Sequence, residues 1–268
     1  RGAEAETDTG AQAIYAELGK ETKYGNTVFE GHDAMEGKGK VLALIAGGKK
    51  TESVSEGAVE LVFDRTPFYA EGGGQVGDNG EIWVGGRQAA QVLDVKKPMP
   101  NLTVVKAKLL PGSTIKVGQE ADMKLVRSVR MKTMANHTAT HLLHWALRKT
   151  LGTHVKQSGS LVSPELLRFD FTHPKAMTED ELATVESLIN EKIAEGDEVL
   201  PKEMSKEEAV SAGAMALFGE KYGDTVRTLR IGDGYSFELC GGTHVRSTAQ
   251  IGCFVIESES GVAAGVRR

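Results

Sequence analysis

The chain has 268 residues, 40% hydrophobic and 26% charged, with a net charge of −5, so it can fill a core in one large domain or two smaller ones. Its acidic balance gives no bulk reason to expect nucleic-acid binding, and no apolar run approaches the ~20 residues of a membrane span. The polar start is no signal peptide and two cysteines make no disulfide framework, so the expected setting is the cytoplasm, with no membrane partner.

In chain order, residues 11–18 form a short amphipathic stretch, and 1–24 read as a linker or helix left from a preceding domain. The chain starts without Met and stops at Val266-Arg267-Arg268, which reads as a piece of something longer. From 25 to 126, β-like runs (40–46, 59–63, 81–84, 90–95, 102–108) alternate with glycine-rich turns such as Asp78-Asn79-Gly80 and Pro111-Gly112. This spacing predicts a small β-barrel or sandwich. Within it, 66–78 contains Gly72-Gly73-Gly74; adjacent glycines permit positive φ and close backbone approach, as in a loop lying against RNA or over a site. A hairpin connection without a ligand is the plainer reading, and neither a P-loop nor a dinucleotide fingerprint fits.

At Arg127 the period changes. Residues 127–151 lack Gly and Pro and predict one long helix carrying His137, His141 and His144. Thr178-x-x-Glu181 and Ser205-x-x-Glu208 are capping-box signatures that open further helices. β-like runs at 158–162, 167–171, 226–231, 236–239 and 252–257 surround them. Residues 127–268 therefore predict a second domain, and the chain an α+β fold: an N-terminal barrel packed on a core with helices on a mainly antiparallel sheet.

Two fragments carry the chemistry. His137-Thr138-Ala139-Thr140-His141 puts two imidazoles on one helix face, and Cys240-Gly241-Gly242-Thr243-His244 reads as a tight loop offering a thiolate and a third imidazole. Three imidazoles and one thiolate form a tetrahedral set suited to one zinc ion per chain. Four protein ligands describe a closed, structural site, whereas a catalytic ion keeps a position open, and spacing does not choose between them. His144 reads as a supporting or packed histidine. Thr140 either holds a substrate group beside the metal or bonds back to its own helix. Gln157 opens a strand that can aim its amide at the same pocket. Lys124, Arg127, Arg130 and Lys132 precede the helix histidines; a solvated helix flank is the plain reading, phosphate contact the functional one.

Together, residues 136–144, 238–244, the glycine-rich 68–78 and Gly213-Ala214-Met215-Ala216-Leu217-Phe218-Gly219-Glu220-Lys221-Tyr222 resemble the editing domain of alanyl-tRNA synthetases, over roughly residues 25–268. The threonyl-tRNA synthetase editing domain shares the paired HxxxH and CxxxH logic, but the glycine-rich segment favours the alanyl branch. The resemblance implies hydrolysis of Ser-tRNA(Ala) and Gly-tRNA(Ala), with His137, His141, Cys240 and His244 holding zinc, Thr140 reading the serine hydroxyl and Gln157 in the pocket. It implies the tRNA acceptor end and the remaining synthetase domains as partners, with ATP and Mg2+ confined to an aminoacylating part outside this chain. The acceptor end is expected to pass the Gly72-Gly73-Gly74 loop, with Arg127, Arg130 and Lys132 on phosphates. A freestanding trans-editing deacylase, a zinc hydrolase acting without RNA and a non-catalytic tRNA-binding module are the competing readings.

Overall fold

The computed structural model describes residues 12–21, 24, 27–216 and 223–268; the start of the chain and the 217–222 part of the last motif lie outside them. The chain divides into two compact units, residues 1–72 with 76–130, and residues 73–75 with 131–268.

The first unit is a closed antiparallel barrel. Its strands are β1 (Glu36–Ala46), β2 (Ala58–Phe63), β3 (Gly80–Val84), β4 (Arg87–Met99), β5 (Leu102–Leu109) and β6 (Glu120–Leu125), ordered β6-β3-β4-β5-β2-β1 and closed by pairing of β6 with β1. Closure satisfies the edge N–H and C=O groups that an open sheet would expose. Inside lie Leu44, Leu61, Phe63, Phe68, Ile82, Val105 and Met123. Helix α1 (residues 12–20) covers part of the outside, burying Leu18 with Ala43, Ile45, Val62, Leu102 and Val104. Neighbouring residues of β1, β2 and β5 thus alternate between two apolar clusters, which is why these strands read as apolar runs and not as alternating ones.

Arg130 departs from its expected place. Its side chain is 1% exposed, and its guanidinium donates to both oxygens of Asp78 and to the carbonyls of Gly31 (2.5 Å) and Pro67 (3.0 Å). Asp78 also accepts from the Tyr69 amide at 2.6 Å. Four of the five guanidinium N–H groups and both carboxylate oxygens are committed to this buried network, so Arg130 is held in the core and not presented on the helix flank. Asp78-Asn79-Gly80 is accordingly no hairpin turn: it leads into β3. Pro111-Gly112 does turn, with Gly112 at φ 76°.

In the second unit, helix α2 (Arg127–Leu151) contributes its residues from Met131 onward. Helix α3 (Glu179–Glu195) starts at a Thr178–Glu181 capping box and ends at left-handed Gly196; α4 (Lys206–Ser211) starts at the Ser205–Glu208 box. Leu142, Ala146 and Leu147 of α2 join Val185, Ile189 and Ile193 of α3 in one core. Two antiparallel sheets complete the unit. One is β7 (Gln157–Val162), β8 (Leu167–Thr172) and the hairpin β12 (Gly261–Ala263) and β13 (Val266–Arg267), in order β7-β8-β13-β12. The other is β9 (Val199–Ser205), β10 (Thr225–Ile231) and β11 (Ser236–Leu239). β9 escapes sequence reading because it contains Pro201; on the sheet edge the missing N–H is tolerated. Conversely, 252–257 is not a strand. Side chains of α3 take over its backbone groups: Asn190 pairs with both the N–H (2.9 Å) and C=O (2.8 Å) of Phe254, and Glu186 accepts from the Ile256 N–H (2.8 Å). The fold class is α+β, as expected.

Candidate metal centre

The i, i+4 spacing on α2 sets the rings of His137 and His141 nearly parallel, with centroids 5.6 Å apart. Cys240 follows the last residue of β11, and Gly241-Gly242-Thr243 turns the chain so that His244 returns beside it. Arg227 holds this loop by donating to the carbonyls of Cys240 (3.1 Å) and Gly242 (2.9 Å). One donor atom from each of His137, His141, Cys240 and His244 lies within 4.8 Å of all the others, and all four residues are buried. Cys240 Sγ lies 3.4 Å from His137 Nε2 and 3.2 Å from His244 Nε2. A tetrahedral ion with arms of ~2.0–2.3 Å separates its ligand atoms by ~3.3–3.8 Å, so the cluster is near the size such an ion requires.

The outer contacts decide which nitrogen each ring turns inward. His137 donates from Nδ1 to Gln75 Oε1 at 2.7 Å. His141 donates from Nδ1 to Glu238 Oε2, which leaves its Nε2 buried and without a hydrogen-bond partner. The Thr138 hydroxyl donates to the Met134 carbonyl (3.0 Å), so its oxygen accepts from His244 Nδ1 at 3.2 Å. Each imidazole thus offers an Nε2 lone pair to the same point, the arrangement that a ligating histidine needs. The donor set and the orphaned Nε2 of His141 fit a zinc ion.

Electrostatics agree. Burial alone would raise the Cys240 thiol, but His137, His244 and His141 outweigh it and hold the group well below its usual range, favouring thiolate. Burial opposes both charges of the Glu238–His141 pair, yet their mutual attraction lowers Glu238 to about 2 and, with Cys240, raises metal-free His141 to about 10, so an ion binding there displaces the Nε2 proton of His141. Burial keeps His244 well below its usual value against the pull of Cys240, and the ring is therefore neutral.

The remaining expected residues fall in different places. Thr140 is buried and donates its hydroxyl proton to the Asn136 carbonyl at 2.9 Å, leaving an oxygen that can only accept. Gln157 opens β7, half-buried, with its amide donating to Ser160 Oγ at 3.2 Å. Arg127 and Lys132 are exposed. Gly72 accepts from the Tyr69 hydroxyl at 2.9 Å, and Gly73 and Gly74 have φ of 57° and 81°.

Sequence reasoning missed the supporting residues Gln75, Thr138 and Glu238. Thr138 adjoins His137, and Glu238 lies on β11 two residues before Cys240; both signals were local. Gln75 carried no spacing signal, because its partners lie 62 and 168 residues away.

Residues 226–268 match the family described as the threonyl and alanyl tRNA synthetase second additional domain, and residues 2–127 match class II (A) tRNA synthetases. Among curated relatives, the alanine–tRNA ligase of Parvibaculum lavamentivorans is 47% identical over 96% of this chain and 29% of its own length. That of Pelotomaculum thermopropionicum is 46% identical over 100% of the chain and 30% of its own length. That of Pseudothermotoga lettingae is 49% identical over 96% and 28%. The chain therefore spans less than a third of the length of these relatives. Identity of 46–49% over nearly the whole of this chain shows that it belongs to the alanyl-tRNA synthetase family.

Proposed function

We propose that this chain is the proofreading part of an alanyl-tRNA synthetase and hydrolyses the ester joining serine or glycine to the 3′ end of tRNA(Ala). Water adds to the ester carbonyl, the amino acid leaves as its acid, and the ribose oxygen leaves with a proton. The observation that carries the reading is the buried His3Cys cluster, two of whose histidines lie on the helix that also bears Thr140. A synthetic site built for alanine separates it from glycine or serine by only ~1–3 kcal/mol, which calls for a second site that sorts differently. Thr140 suits that role for serine: its proton is engaged with Asn136, so its oxygen can accept from a substrate hydroxyl, and alanine would leave it unpaired.

Zinc held by His137, His141, Cys240 and His244 would supply a fixed positive charge at the pocket wall. Gln157 would line the pocket, and exposed Arg127 and Lys132 would meet acceptor-stem phosphates. ATP and Mg2+ would serve the aminoacylating part of the longer protein, with the remaining synthetase domains as partners in the cytoplasm.

The test compares hydrolysis of Ser-, Gly- and Ala-tRNA(Ala) and of a free seryl ester by the parent chain and by Cys240→Ala. Faster loss of Ser-tRNA than of Ala-tRNA, abolished in Cys240→Ala, is the expected result. Equal turnover of the free ester would indicate a small-substrate hydrolase. Binding of tRNA without turnover would reduce the chain to a binding module.

A further inference from the structure

The glycine-rich segment sends one side chain into the metal centre. Gln75 is 0% exposed, and both its carboxamide oxygen and its nitrogen have partners. Its Oε1 accepts from His137 Nδ1 (2.7 Å) and from the Thr243 N–H (3.0 Å), while its Nε2 donates to Thr243 Oγ1 (2.9 Å). One amide therefore bonds both to the helix ligand His137 and to the loop between ligands Cys240 and His244. Because Oε1 has two donors facing it and Nε2 an acceptor, the amide has one consistent orientation, and His137 must carry its proton on Nδ1.

The backbone on either side is shaped for this contact. Gly74 donates nothing to the centre itself, but its carbonyl accepts from Val162 N–H at 2.7 Å and Gln75 bridges to Val162 in parallel register. A Cβ at Gly74 would sit 2.2 Å from Ser160 Oγ and 2.9 Å from the Ser160 carbonyl, at a φ of 81° that side chains rarely adopt. A Cβ at Gly242 would lie 2.0 Å from His137 Cε1 and 3.0 Å from Gln75 Oε1. Glycine at 242 lets the carboxamide and the imidazole close on each other, and glycine at 74 lets the backbone beside Gln75 lie against β7.

We infer that Gln75 is a positioning residue of the metal centre: its carboxamide ties the HxxxH helix to the CxxxH loop and sets His137 to present Nε2 to the ion. The glycine-rich motif thereby acts as a third arm of the site, and its Gly74 serves backbone packing on β7. This inference rests on the zinc reading of the four-residue cluster.

The test measures zinc affinity of the 268-residue chain by chelator competition for the parent, Gln75→Met and Gln75→Glu. Methionine fills the volume without hydrogen bonds and should weaken zinc binding about 10–100-fold, the usual loss when a metal-orienting partner is removed. Glutamate keeps an acceptor for His137 and for the Thr243 N–H and should restore affinity close to the parent's. Parent and Gln75→Met holding zinc equally well would overturn the inference and leave the zinc reading intact; a parent that binds no zinc would overturn both. Should Gln75→Met fail to fold, long-range 1H–15N NMR of the zinc-loaded parent decides. A proton on His137 Nδ1 supports the inference, and a proton on Nε2 overturns it.

Discussion

Glu238 sits where a single oxygen pair holds two rings, and replacing it tests how the centre is built. The carboxylate is 3% exposed and accepts from Nδ1 of both His141 and His144, the latter at 2.5 Å. In Glu238→Leu both N–H groups lose their acceptor. His141 cannot escape by moving its proton, because its Nε2 is the atom turned toward the ion. His144 gains nothing by doing so, because its Nε2 is buried without a partner too. Two buried unpaired donors at about 1–3 kcal/mol each give a loss of about 2–6 kcal/mol, less what burial of the carboxylate itself had cost. Glu238→Gln keeps one acceptor oxygen for His141, while its NH2 can bond His144 only if that ring gives up its Nδ1 proton, for a loss of about 1–3 kcal/mol. Urea unfolding with chelator present should rank the chains parent, Gln, Leu. Zinc affinity should follow the same order, with Leu weaker by about 10–100-fold. A Glu238→Leu chain with parental urea midpoint and zinc affinity would refute the argument that this carboxylate orients the ligands.

Arg130→Met should destabilise the chain by about 3–5 kcal/mol, since it strands the Asp78 carboxylate in a buried site; neutralising Arg127 and Lys132 should leave the urea midpoint nearly unchanged while flattening the salt dependence of tRNA binding. Thr140→Val should slow Ser-tRNA hydrolysis by about 0.5–1.5 kcal/mol in barrier and shrink the serine-over-alanine ratio, with Gly-tRNA less affected; equal slowing of serine and glycine would assign Thr140 to pocket shape alone. His173 is held below its usual pKa by burial and then by His154, whose Nε2 lies 3.0 Å from its Nδ1. The unfolded chain takes up that proton near 6.5 and the folded chain resists it, so stability falls as pH drops below about 6.5. A His173→Phe chain should show a shallower decline in urea midpoint between neutral and acid pH, and an identical pH profile would dismiss His173 as a source.

Much of this molecule was legible from local pattern. Helix α2 was readable to its ends because its period, its lack of breakers and Gly152 all act within the chain's own neighbourhood. The capping boxes of α3 and α4 involve residues three apart and formed as read. The clustering of His137, His141, Cys240 and His244 was legible because imidazole and thiolate chemistry at four-residue spacing admits few other uses. What needed the tertiary structure were questions of partnership. Arg130 and Lys132 look alike in a run of basic residues, yet Asp78, 52 residues earlier, draws one into the core and the other stays in water. Residues 252–257 have strand-like composition, but Asn190 and Glu186 capture the backbone groups that a neighbouring strand would have paired. Gln75 is the plainest case. Its role depends on two histidine-bearing segments folding around it, and a hydrogen bond between residues far apart in sequence leaves no periodic trace along the chain.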